Sequence, residues 1–391
     1  MNKVKLNLSQ SVYLDFLRAI SAMAVLFGHA AGIFLPGSLL SKLNMPGIGV
    51  FVFFLLSGFL ISYSVFRKYD SPDYSFRTFF IDRFCRIYCA FLPALLLVWI
   101  IDIQILSLPL FSSLERINDF DWISSLSDNL NLYTGIGNIL MLQDFPLFQV
   151  AKVAGVSNTS LFIDTFGSAG PFWTISIEWW IYMLFGMVVI SHIRDKKQLT
   201  LASLALLGLV TIERLYHFVG GPDQCLTMLW ALGMIACLFF LNAHRWISLP
   251  DKKIRLLSLM VFLFSLLLMA VRIVALKIDG ELNILEFQFG VYLATAIFSF
   301  LFVLSDTITP PKLFTKVIRF IADYSYSLYL SHFTVITYLY VRFPEREHDI
   351  VFFGMAMILS NIVAVLLWFF FERHHRKLST WLKNINFLDK T

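Results

Sequence analysis

The stretch LDFLRAISAMAVLFGHA, residues 14–30, decides how this chain must be read. It is apolar enough to cross a bilayer, yet it carries Arg18 and His29, eleven positions apart. Ionisable groups in hydrocarbon are costly, so each one inside a span is a functional hypothesis by default. Eleven residues at ~100° each leave about 20° after three full turns, so the two side chains share one helix face with ~16 Å between them along the axis. They look into the same cavity.

Composition makes that stretch a membrane span. Of 391 residues, 58% are hydrophobic and 15% charged, and the mean hydropathy is +0.74; a soluble globular chain carries about 25% charged residues. Backbone groups in lipid must be satisfied internally, which leaves helices or a closed barrel. Long continuous apolar runs select helices, since barrel strands alternate over ~10 residues. The expected fold is therefore an all-α polytopic membrane protein. Ten spans are expected, at roughly 14–34, 47–66, 84–103, 172–192, 199–215, 226–241, 255–276, 286–305, 320–340 and 349–372, each near the ~20 residues a bilayer needs.

Basic residues orient the spans. With the N-terminus inside, the cytoplasmic segments hold 21 Lys and Arg and the outer ones 7, alternating loop by loop. That asymmetry predicts both termini in the cytoplasm. It also accounts for the net charge of +5 without any nucleic-acid partner. A secretory leader is disfavoured by Arg18 within the first apolar stretch, which reads as a retained helix. Cys85, Cys89, Cys225 and Cys237 show no zinc-type spacing, and no metal is expected. The whole of 1–391 is expected to be one membrane domain, with a short basic cytoplasmic tail at 373–391 in which His374 and His375 read as solvated.

One outer segment is too long for a turn. Residues 104–171 carry six acids and two bases and are expected to form an extracytoplasmic, partly helical cap, within which NILML, residues 138–142, could dip back into the membrane. Asn158-Thr159-Ser160 is a formal glycosylation sequon of little weight in a bacterial host. Trp122 and Tyr133 suit stacking on a sugar, or simple loop packing.

Further polar groups join Arg18 and His29. A guanidinium at a cytoplasmic mouth can pair bidentately with phosphate, and a neutral histidine deeper in can take a proton from a nucleophile. The plainer alternative is an arginine snorkelling to the interface and a histidine bonding a neighbouring helix. In RFCRIY, residues 83–88, Arg83 and Arg86 lie three apart on one face at the start of the third span; they are either a phosphate site or an ordinary positive flank. In PFWTISIEWWIYM, residues 171–183, Ser176 and Glu178 are ~200° apart, so they face one cavity only on a distorted helix, or else face different partners. That carboxylate can orient an imidazole or sit in a buried ion pair. FIADYSYSLYLSH ends in His332 in an unusually polar ninth span, and FFFE places Glu372 at the cytoplasmic end of the tenth.

Taken in order, Arg-x10-His, GVFVFFLLSGFLIS (49–62), Arg83-x-x-Arg86, FWTISIEWWIY, DYSYSLYLSH and FFFE closely resemble the acyltransferase family 3 membrane proteins, over about residues 11 to 377. These are O-acyltransferases of bacterial surface polysaccharides and of some lipid-linked or antibiotic substrates. The resemblance implies an acyl-CoA donor, usually acetyl-CoA, taken from the cytoplasm. It also implies transfer to a hydroxyl of a glycan such as O-antigen, other lipopolysaccharide or exopolysaccharide, the acceptor being lipid-linked, in the bacterial inner membrane. On it, His29 is the catalytic histidine and Arg18 its partner in donor binding or charge stabilisation. Arg83 and Arg86 bind the CoA phosphates, Ser176 and Glu178 support catalysis or the acceptor, and Trp173, Tyr182 and His332 are substrate-binding candidates. The sequence departs from the family in carrying Pro93 several residues after the arginine motif. It also lacks the C-terminal hydrolase-like domain fused in many members, which predicts a stand-alone enzyme or one with a separate partner protein.

Direct attack of the sugar hydroxyl on the thioester and passage through an acyl-enzyme both remain open, with direct transfer preferred. A proton-coupled transporter is the competing function, since intramembrane His, Arg and Glu also build proton relays. A third is a glycan-binding scaffold without chemistry.

Overall fold

The computed structural model describes residues 4–42, 44–68, 71, 74–108, 111, 121–143, 162–190, 225–247, 249–278, 286–304, 309–346 and 349–385. Among them there is no strand, and seven helices are long and apolar enough to cross a membrane. The chain is an all-α polytopic membrane protein. The expected span at 199–215, the sequon, the side chain of Trp122, much of the cap and the last six residues of the tail lie outside the described residues.

The helices are α1 Leu8–Phe34, α2 Met45–Lys68, α3 Phe76–Leu106, α4 Asp121–Asn129, α5 Leu132–Ile139, α6 Trp173–Phe185, α7 Leu226–Trp246, α8 Asp251–Ile278, α9 Phe287–Val303, α10 Lys312–Arg342, α11 Ile350–Phe370 and α12 His375–Asn384. They fall into two compact units: residues 1–21, 47–71 and 197–322, and residues 22–46, 72–196 and 323–391. Both α1 and α10 contribute to each.

In the first unit, α2 and α7 meet backbone to backbone. A Cβ on Gly58 would stand 1.9 Å from the Trp230 carbonyl oxygen, and one on Gly233 2.1 Å from that of Leu55. Lipid gives little hydrophobic drive between helices, so close approach at small residues supplies the packing. Trp230 Nε1 adds a hydrogen bond to Ser57 Oγ at 3.2 Å, and Phe59 stacks on Phe298 at 5.2 Å. The N-terminal segment is tied down by Gln10 Nε2, which donates to Leu301 O at 2.9 Å. By contrast, α8 leaves nearly all its apolar surface outside the packed interior, as a lipid-facing helix must.

In the second unit, a capping box starts α3: the Ser75 hydroxyl accepts from the Thr78 N–H and Thr78 returns the bond to the Ser75 N–H. Pro93 lies well inside α3, so the late proline does not define where that helix begins. The tail is a structured element. α12 packs on α3 through Asp82, which accepts from Ser379 Oγ at 2.6 Å and pairs with Lys383.

Candidate active site

Helix α10 is the spine of the second unit's polar interior. Two of its hydroxyls bond to their own helix: Ser331 Oγ donates to Ser327 O at 2.9 Å and Thr337 Oγ1 to Phe333 O at 2.8 Å. This is how hydroxyls are carried in a span at small cost. His332 is fully buried, and its Nδ1 lies 3.0 Å from Leu328 O and 2.9 Å from Tyr329 O. Carbonyls only accept, so Nδ1 carries the proton and Nε2 is left as a lone pair. That Nε2 is buried and has no partner among the described residues.

Beside it stands His29. The two imidazole centroids are 5.4 Å apart with the planes tilted by 32°, and Phe333 packs edge-on to His29 at 5.0 Å. His29 itself is partly exposed. The first turn of α2 closes on α1 at the preceding residue, Gly28, where a Cβ would stand 2.3 Å from Pro46 Cδ. One turn from His332, Tyr329 and Thr174 exchange a hydrogen bond at 2.7 Å, and both donate within reach of Pro171 O. This anchors the start of α6 to α10.

Ser176 and Glu178 do face different partners, one of the two arrangements their spacing allowed. Ser176 is buried and donates to Met141 O at 2.7 Å, as does Trp180 Nε1 one turn later. Met141 is in the left-handed region, φ 56°, so a non-glycine turn after α5 is held by these two bonds. Glu178 is partly exposed and accepts from Tyr182 Oη, four residues on. Trp173 opens α6 and is half-buried.

A charged cluster lies elsewhere along α10. Arg86 Nη1 is 2.6 Å from Glu372 Oε1, and Glu372 Oε2 accepts from Ser327 N at 3.1 Å and Ser327 Oγ at 2.6 Å. Glu372 is fully buried. The Arg86 guanidinium also stands 5.6 Å over the ring of Tyr326, whose buried hydroxyl has no partner among the described residues. Arg83 lies over Phe79 at 5.9 Å, and its buried Nε likewise lacks a partner there. The reading of His375 as solvated is corrected: its Nδ1 bonds to Glu372 O at 2.8 Å and the residue is partly buried, because α12 turns back onto α3. In the first unit, Arg18 Nη2 is 3.5 Å from Asp15 Oδ1, and Arg319 Nε is 3.8 Å from Asp15 Oδ2.

Sequence reasoning missed two groups. Ser327, Thr174 and the role of Glu372 emerge only from contacts between helices distant in sequence. Asp102, in the apolar run WIIDIQIL, carried a visible signal as an intramembrane acid. It is fully buried and accepts from Ser168 N at 2.7 Å, and Ser168 Oγ donates to Thr334 Oγ1 at 2.8 Å. A Cβ at Gly167, φ +52°, would meet Asp102 Oδ2 at 2.0 Å. Asp102 therefore pins the loop that leads into α6 to α3.

The architecture and site are those of a polytopic helical membrane protein with paired histidines and a buried Arg–Glu pair in its interior. Comparison with known proteins identifies the class more closely: the acyltransferase 3 family, an acyltransferase domain, matches residues 11–369, and the chain belongs to it. It is 23% identical over 382 residues to a protein of Staphylococcus aureus strain COL that is provisionally named as an O-acetyltransferase. It is 24% identical over 385 residues to O-acetyltransferase OatA of S. aureus strain NCTC 8325. In each case 93% of this chain is covered but only 57% of the relative. The chain thus spans little more than half the length of the curated relatives it matches. No solved structure matches.

Proposed function

We propose that this chain transfers an acetyl group from cytoplasmic acetyl-CoA to a hydroxyl of a lipid-linked or cell-surface glycan at the bacterial inner membrane. The observation that carries the reading is the contact between the partly exposed His29 and the buried His332 in a member of an acyltransferase family. A neutral imidazole is suited to general-base work on a hydroxyl.

In the proposed step, His29 takes the proton as the acceptor oxygen attacks the thioester carbonyl carbon. The C–O bond forms, the C–S bond breaks, and the proton passes from His29 to the departing thiolate. Products are the O-acetyl ester and free CoA. Read on the family resemblance, Arg18 stabilises charge on the donor. Arg83 and Arg86 in the first half of α3 contact its phosphates, Arg83 with a buried N–H to spare and Arg86 in competition with Glu372. Glu178, Tyr182 and Trp173 hold the acceptor. Direct transfer is favoured over a Ser176 acyl-enzyme, since the buried Ser176 hydroxyl is already donated to Met141 O. The membrane lipids complete the site's surroundings, and the 104–171 cap receives the sugar.

The test is mass spectrometry of surface polysaccharide from cells with the intact gene, without it, and with His29→Ala at matched membrane abundance. An acetyl increment on a sugar residue present only with the intact protein supports the reading. Full acetylation in His29→Ala removes the proposed base. No mass difference anywhere in the glycan points to a non-glycan acceptor, and then to a proton-coupled transporter.

A further inference from the structure

We propose that His332 is the residue that positions His29: when the acceptor binds, its Nε2 takes a hydrogen bond from one nitrogen of His29, a bond the two adjacent rings do not make in this structure, and the other nitrogen then faces the acceptor hydroxyl. The proposal rests on the reading of His29 as the base and goes beyond it. It gives His332 a defined role in place of a general one in substrate binding.

The tautomer of His332 is settled by its own helix. Two backbone carbonyls, Leu328 O and Tyr329 O, lie within 3.0 Å of Nδ1 and fix the proton there. Nε2 is then an obligate acceptor, in a residue with no solvent exposure and with no donor to it among the described residues. Buried acceptors are rarely left in this state, and each one asks for an explanation.

The neighbours say which donor. Among the described residues, three rings contact His332: His29 at 5.4 Å, Tyr329 at 5.9 Å and Phe333 at 6.3 Å between centroids. Phenylalanine has no polar hydrogen. Tyr329 is committed to Thr174 and Pro171 O. His29 remains, with a ring nitrogen to give and a partly exposed edge toward the reactants. In a Ser-His-Asp site, a third group accepts from the catalytic imidazole, fixes its tautomer and steadies the imidazolium. Glu178 was the sequence's candidate for that post, and it bonds to Tyr182 instead. A neutral imidazole can fill it, as an acceptor with one available lone pair.

During transfer, the proton removed from the acceptor hydroxyl would reside on His29, with the developing charge shared through N–H to His332 Nε2. It returns from His29 to the thiolate when the C–S bond breaks. His332 gains and loses no proton over the cycle, so it acts through His29 and does not touch substrate.

The experiment uses membranes from the producing cells, which contain the full chain and the native glycan pool, with radiolabelled acetyl-CoA as the probe and label in the glycan fraction as readout. His332→Phe keeps an aromatic ring and removes the accepting nitrogen. It is expected to lower kcat by about 100-fold, the scale of a general-base contribution, with KM for acetyl-CoA changed less than about threefold. His332→Gln, whose amide oxygen accepts, should recover at least about tenfold of that loss. In a His29→Ala background, His332→Phe should add nothing, because residues acting as a unit are not additive.

Undiminished kcat in His332→Phe would overturn the proposal. So would a loss confined to KM, which assigns His332 to donor binding, or a glutamine variant no better than phenylalanine. If His332→Phe does not elute as a folded species, His332→Met against His332→Gln makes the same comparison at matched size. Wild-type membranes that transfer no label refute the acetyl-transfer reading itself, a result separate from any outcome at His332.

Discussion

Removing the Glu372 carboxylate is the sharpest test of how the second unit holds together. Glu372 is fully buried and accepts three hydrogen bonds, from Arg86 Nη1, Ser327 N and Ser327 Oγ. Glu372→Ala strands all three donors. Deleting one partner of a buried ion pair costs roughly 3–5 kcal/mol. The Arg86 side chain is 29% exposed, so water reaches part of the guanidinium, and the expected loss lies near the lower end, about 3 kcal/mol. Glu372→Gln keeps the shape and one accepting oxygen but loses the charge, and should cost about 1.5–2 kcal/mol. Arg86→Met combined with Glu372→Leu withdraws both charges together, and more than half the alanine loss should return. Unfolding monitored by tryptophan fluorescence in one detergent should rank wild type first, then the double variant, glutamine and alanine. An alanine variant within about 0.5 kcal/mol of wild type would refute the reasoning, since surface changes stay within that margin. The glutamine variant also bears on function. If Arg86 meets donor phosphates, loss of its competitor should tighten acetyl-CoA binding even as stability falls; unchanged binding would assign Arg86 to structure.

Three further predictions follow from the packing. Gly58→Ala drives a Cβ into the Trp230 carbonyl oxygen, where no side chain can yield, and should cost about 1–3 kcal/mol or more; Gly32→Ala, with nothing within 4 Å, is the control and should be neutral or mildly stabilising. Ser176→Ala should lose about 1 kcal/mol of stability through Met141 O while keeping transfer within about tenfold, whereas abolished transfer in a folded variant would indicate a nucleophile. Asp102→Ala strands the Ser168 N–H and should lower the unfolding midpoint more than Asp102→Asn, which retains an acceptor; equal midpoints would show that the 167–168 loop is held by other contacts.

Much of this architecture is legible without coordinates, and what is not has a common cause. Arg18 and His29 announce themselves because a helix converts a spacing of eleven into a shared face. A helix was readable at 320–340 despite its serines and tyrosines, and α10 runs from Lys312 to Arg342, although it is not among the seven helices apolar enough to cross a membrane. Even the divergence of Ser176 from Glu178 follows from two residues at ~100° each. Pairings across the chain are another matter. Arg86 and Glu372 are separated by 286 positions, and no local periodicity links them. The tautomer of His332 depends on two carbonyls whose positions come only from the folded turn. Asp102 was overlooked for a different reason: charge counting that orients spans uses Lys and Arg, and an acid inside a span passes through it unseen.

The polar residues of α10 also show how structural and functional groups can be told apart within a membrane. Ser331 and Thr337 return their hydrogens to carbonyls one turn back, and Thr334 accepts from Ser168, so each has a partner in the folded chain. Such residues cost little and ask for nothing further. His332 Nε2, Tyr326 Oη and Arg83 Nε are buried and have no partner among the described residues. In a medium without water, incompleteness of that kind is expensive and persists only where something offsets it. An acyl-transfer site needs such unfilled positions: an acceptor lone pair beside the base, and donors where an anionic carrier binds. At His332, Tyr326 and Arg83, substitution should therefore change turnover more than stability, whereas Asp102, whose second oxygen is also unpaired among the described residues, holds the 167–168 loop through its first.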